Sequence, residues 1–175
     1  IELDTPLTGL WLGLLGMVPP VAYASAGVIT ARLAAALSLE GVAVLVSALT
    51  GLAHVFRGLA PGYLSLFSAT VVLMLGVGSL NVILPGLVKL YTPGRIGLMT
   101  SLYSTAMAMS TAIPAGLGLV LAEQFGWRWS LAAWSVISLA ALVPWMILLP
   151  RAWARRAAEA RVVEAIAEMA TETIG

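Results

Sequence analysis

Five apolar stretches, each long enough to cross a bilayer and parted by breaks of only a few residues, dictate most of what this chain can become. A helix spanning the hydrocarbon core needs ~20 mostly apolar residues. Windows that meet this run roughly from Leu7 to Leu33, Gly41 to Leu59, Tyr63 to Tyr91, Ile96 to Ala122 and Trp127 to Leu149. Each is apolar on nearly every side, as expected of helices surrounded by lipid and by one another. Alternation at period two is absent, and an open sheet edge in lipid would leave backbone groups unpaired. Composition points the same way: 61% of residues are hydrophobic and 10% charged, against ~25% charged in a soluble domain. The expected fold is all-α: a polytopic membrane bundle of five transmembrane helices over residues 1–150, then an amphipathic tail over 151–175. The lipid bilayer is its first partner.

The breaks are short. Pro61-Gly62, then Thr92-Pro93-Gly94-Arg95, then Glu123-Gln124-Phe125-Gly126 separate successive stretches, so neighbours should run antiparallel. The third stretch, at 1.5 Å per residue, is ~43 Å long and should tilt or protrude from a ~30 Å core. Pro19-Pro20 removes two backbone donors from the first, which should bend it.

Basic residues set an orientation. With the first helix running inward, the inside holds Arg32, Lys89, Arg95, Arg151, Arg155, Arg156 and Arg161, and the outside only Arg57 and Arg128. That asymmetry follows the positive-inside rule. It places the N-terminal end outside and the C-terminal end in the cytoplasm of a cell inner (plasma) membrane protein. Trp11, Tyr63, Trp127 and Trp129 fall at predicted outer ends, and Tyr91 and Trp145 near inner ends, as aromatic belts do. In the tail, Val162, Val163, Ile166, Met169 and Ala170 form one apolar side, and Arg155 and Glu159 stand at a helix-supporting i, i+4 spacing. The tail reads as a solvated connector or as a helix that docks a partner.

Several classes are excluded. The net charge of +1 gives no nucleic-acid signature, there is no cysteine, and there is one histidine; no metal site or cofactor is expected. No Ser/His/Asp set or Gly-rich phosphate loop is present, so no catalytic residue is assigned and an enzyme is not expected. No cleavable signal peptide is visible. The chain begins at Ile1 and not at Met, and reads as a fragment.

What remains is a set of small and polar residues inside the spans. Gly9, Gly13, Gly16, Pro20, Ala24 and Gly27 recur at steps of three and four. They make a smooth helix face for close packing, or a seam that moves. Gly78, Asn81, Pro85 and Lys89 share a face of the third stretch. Asn81 lies deep in the membrane and needs a partner, either a neighbouring helix or a polar path. Lys89 either snorkels to headgroups or lines the inner end of that path. Tyr103 and Ser104 belong to a hydroxyl-rich fourth stretch. Ser and Thr there can bond their own carbonyls, whereas a phenol away from the interface needs a partner. His54 and Arg57, one turn apart near an outer end, form an interfacial pair or a cationic vestibule.

The run Gly76-Val-Gly-Ser-Leu-Asn-Val-Ile-Leu-Pro-Gly-Leu-Val-Lys89 resembles the fourth helix of the cyanate and nitroimidazole transporter branch of the major facilitator superfamily. Gly97-Leu-Met-Thr-Ser-Leu-Tyr-Ser-Thr105 is similar to that branch's fifth helix, and Gly126-Trp-Arg-Trp129 to the start of a sixth. Arg57 fits an arginine at the end of the third. The superfamily's signature loop between helices two and three is reduced here to Gly27 and Arg32 within Gly27-Val-Ile-Thr-Ala-Arg32-Leu-Ala-Ala-Ala36.

The resemblance implies helices two to six of twelve, a partial N-terminal half. The first helix and the C-terminal half are then missing partners, and the tail begins the central loop. It also implies alternating access around a midplane site. Asn81 and Tyr103 would hydrogen-bond a small polar or anionic solute, with Lys89 at the inner gate. The alternative is a non-transporting membrane scaffold or assembly subunit that works as this chain alone.

Overall fold

The computed structural model describes residues 9–174, with side chains described through Ala170. Leu7 and Thr8, the predicted start of the first stretch, lie outside the described residues. The helices are α1 (Gly9–Leu37), α2 (Leu39–Leu59), α3 (Tyr63–Tyr91), α4 (Ile96–Phe125), α5 (Trp127–Ala133), α6 (Ser135–Ala140) and α7 (Leu142–Ile174). A 3₁₀ turn at Pro93–Arg95 leads into α4. Among the described residues five helical spans are long and apolar enough to cross a membrane, α5 to α7 together making the fifth. This is a polytopic all-α bundle.

The joints follow from local chemistry. One residue, Ser38, separates α1 from α2. Its backbone sits at φ 77°, ψ 165°, a region almost reserved for glycine. Its hydroxyl accepts the Gly41 N–H at 3.2 Å, an N-cap that satisfies one of the four orphan donors of α2. At the next joint Ser65 bonds back to Gly62, accepting its N–H and donating to its carbonyl. Gly126, at φ 84°, ends α4 where an L side chain would be strained.

The fifth span shows two slight interruptions, at Trp134 and Ala141, whose dihedrals remain right-handed helical. It then continues through Pro150. The residue-151 boundary expected for the tail is therefore not a helix end. The carbonyl freed by Pro150 and the ring clash do not stop the helix, which is docked on the bundle just beyond through Ala152, Arg155 and Arg156.

The spans are packed unequally. In lipid the drive for helix association is van der Waals fit and polar contact, not removal of apolar surface from water. α2 is the hub, with α3 on one side and the fifth span on the other. Val42, Ala43 and Val46 of α2 bury against Ile83 and Leu87 of α3, with Leu33, Leu80 and Trp145 closing around them. Glycines set the approach. A Cβ at Gly58 would stand 2.8 Å from the Arg128 carbonyl and from Ala132 Cβ, and one at Gly51 2.6 Å from Leu139. A Cβ at Gly76 would collide with Thr50.

α1 docks on α3 through Val18, Ala22, Ala26 and Thr30, one residue per turn. Gly78 receives Ala26 and Tyr23 there, so close that an added Cβ would lie 2.9 Å from Ala26 Cβ. At the far end of the same pair the Trp11 and Tyr63 rings are 4.1 Å apart. α4 stands apart: none of its residues is buried. It meets α5 mainly, and α3 only sparsely.

Candidate functional site

Asn81 lies half-buried on α3, one turn beyond the Gly78 contact with α1, and Lys89 is exposed two turns further on. Tyr103 is half-buried and Ser104 exposed on α4. Asn81, Lys89, Tyr103 and Ser104 have no hydrogen-bond partner among the described residues. Four other hydroxyls of α4 behave differently from these and from Thr100: Ser101, Thr105, Ser110 and Thr111 each donate to a carbonyl three or four residues back. Those are self-satisfied. The structure does not bring the Asn81 and Tyr103 elements into close contact, because α4 leaves α3 after the 3₁₀ turn.

His54 meets Leu131 of the fifth span near the end of α2 that precedes Pro61, with Arg57 beside it and half-buried. His54 Nδ1 and Arg57 Nε are buried without a hydrogen-bond partner. At the same end the Arg128 guanidinium lies 4.3 Å above the Trp127 ring, a cation–π contact. The glycine stripe of α1 faces away from α3. A Cβ at Gly9, Gly13, Gly16 or Gly27 would meet nothing within 4 Å. Nothing among the described residues packs on that face.

A polar cluster at the opposite end was not singled out in the sequence. Glu40, in the first turn of α2, is fully buried. Its Oε1 accepts the Tyr91 hydroxyl at 2.6 Å and Arg155 Nη2 at 2.7 Å. Arg155 is thus drawn to a residue 115 positions away, not to Glu159 one turn along its own helix. Its neighbour Arg156 donates to the Ala36 and Ala35 carbonyls at 2.8 and 2.5 Å, capping the end of α1. A signal did exist. Glu40 is the only acidic residue between Asp4 and Glu123, and it stands at the end of the bundle where arginines collect.

A model of the Major Facilitator Superfamily matches residues 3–171, nearly the whole chain. The chain belongs to the Major Facilitator Superfamily. Among curated proteins, the 2-nitroimidazole transporter of Escherichia coli (strain K12) is 33% identical over 143 residues, covering 80% of this chain and 36% of that protein. The uncharacterized transporter YycB of Bacillus subtilis (strain 168) is 36% identical over 84 residues, covering 47% of this chain and 21% of that protein. The chain thus spans 36% of the length of the first of these relatives and 21% of the second. No solved structure matches it. Membership in the facilitator superfamily makes this a multi-pass membrane protein of a transporter family, not an enzyme.

Proposed function

We propose that this chain forms helices two to six of a twelve-helix secondary transporter, of the cyanate and nitroimidazole branch, that moves a small polar or anionic solute by alternating access. The observation that carries the reading is a contrast among polar side chains. Glu40, Tyr91, Arg155 and Ser130 find protein partners, whereas Asn81, Tyr103, Ser104 and Lys89 find none among the described residues. An unpaired polar group at membrane depth is costly unless water or a solute reaches it. The family match, and the E. coli relative named for a small nitrogen heterocycle, support transport as the reason.

Asn81 and Tyr103 then supply hydrogen bonds to the solute, with Ser104 beside them. Lys89 attracts an anion at the inner gate. The open stripe Gly9, Gly13, Gly16 and Gly27 is a seam that slides against the second half. His54 and Arg57 belong to the outer vestibule. Basic-residue asymmetry places the Arg155 end in the cytoplasm and the N-terminal end outside.

Uptake of 2-nitroimidazole and of small anions by cells making the complete transporter tests this. Asn81→Ala and Tyr103→Phe each lower uptake by about five- to tenfold at unchanged membrane level, the value of roughly one hydrogen bond. Unchanged uptake in both removes them from the site.

A further inference from the structure

We propose that Glu40 is a positioning residue that locks the first half of α7 to the end of the bundle, so that the helix leaving the bundle is a rigid arm and not a loose tether. The docking surface is continuous over about three turns. Trp145 packs on the α2–α3 core. Leu149 approaches Gly41, and Ala152 is fully buried. Arg155 and Arg156 close the row on Glu40 and on the Ala35 and Ala36 carbonyls. These positions recur at steps of three and four, so they lie along one side of α7.

The docking stops there. From Ala157 to Ala170 every residue is exposed. The last fixed point is therefore the pair of arginines. Their targets come from three elements at once: the α1 terminus, the α2 first turn and, through Tyr91, the α3 terminus. Glu40 joins the three because one oxygen accepts from both Tyr91 and Arg155. Its second oxygen is buried without a partner. If Arg155 leaves, a carboxylate so enclosed keeps only the neutral Tyr91 hydroxyl, which favours a joint that stays shut. In a transporter this joint would carry the bundle's rotation into the segment beyond residue 157. That consequence rests on the transport reading; the joint itself does not.

The test is a distance, measured by paired spin labels at Gly94 and Ala158 in the complete protein. Both sites are exposed, and a side chain at Gly94 meets nothing. The expected result is one narrow distribution, the same with and without solute. Glu40→Gln and Arg155→Gln each broaden it at least twofold, and Glu40→Lys with Arg155→Glu narrows it again. In uptake, Glu40→Gln lowers the maximal rate severalfold with the half-saturating solute concentration unchanged.

A broad distribution in the unmodified protein, or a narrow one in both single variants, overturns the proposal. If Glu40→Gln fails to accumulate, the partly exposed Arg155 side carries the same test. If no solute is taken up but the distances behave as expected, the transport reading falls and the joint stands.

Discussion

α3 and α4 are both apolar helices of nearly equal length, yet a third of the most apolar window of α3 is buried and none of that of α4. Hydropathy alone does not decide this, since the fifth span is nearly as apolar as α3 and far less buried. Small residues at the contact points do. α3 places Gly76 against Thr50 of α2 and Gly78 against Ala26 of α1, and helices in lipid associate through such close approaches. α4 has Gly97 and Gly116 with nothing nearby. What ties it to a neighbouring helix is the Ser130 hydroxyl, donated to the Gly118 carbonyl at 2.8 Å. The apolar pattern tells a helix to enter the bilayer; shape at two or three positions tells it where to stop.

Substitutions that add or remove single contacts break this comparison, and they order themselves by expected size. Gly76→Leu has the largest effect. It forces a side chain into Thr50 and toward the Val46 carbonyl, which costs about 3 kcal/mol or more by overpacking. Membrane level and detergent stability of the full protein both fall. Ser130→Ala removes the α4–α5 bond and costs ~0.6 kcal/mol, the average for polar contacts between membrane helices, seen as a small drop in unfolding midpoint. Gly116→Ala, its α4 counterpart, shifts that midpoint by less than about 0.5 kcal/mol, because the new methyl enters open space. A drop as large as that of Gly76→Leu would mean that α4 is packed as tightly as α3 in the complete protein.

The part of the fold legible in sequence was the part that depends on local composition. Five long apolar runs imply five helices, and Pro61-Gly62 or Thr92-Pro93-Gly94-Arg95 imply turns whatever surrounds them. The unread part depended on which residues meet across long separations. Glu40 stands at a helix start, where an acid is ordinary because it complements the helix dipole. Nothing local says that Arg155 will reach it in preference to Glu159. The joint after α1 was equally opaque, since Ser38 adopts a backbone conformation that propensity assigns to glycine. Of the candidate site, the residue types were readable, and Asn81 and Tyr103 were legible as polar groups in need of partners. Whether a helix, water or a solute meets them is a property of the assembled helices, which periodicity does not encode.

The capping of α1 by Arg156 has a consequence for the order in which the molecule is made. The Ala35 and Ala36 carbonyls bond to a side chain 121 and 120 residues later in the chain. On the ribosome, α1 and α2 are therefore complete, joined by a single strained residue, long before that arginine exists. Until then the carbonyls must borrow headgroups or water at the membrane edge. The bend at Ser38 is held locally by its cap on Gly41, and the arginines of the fifth span add the ties that come last in synthesis.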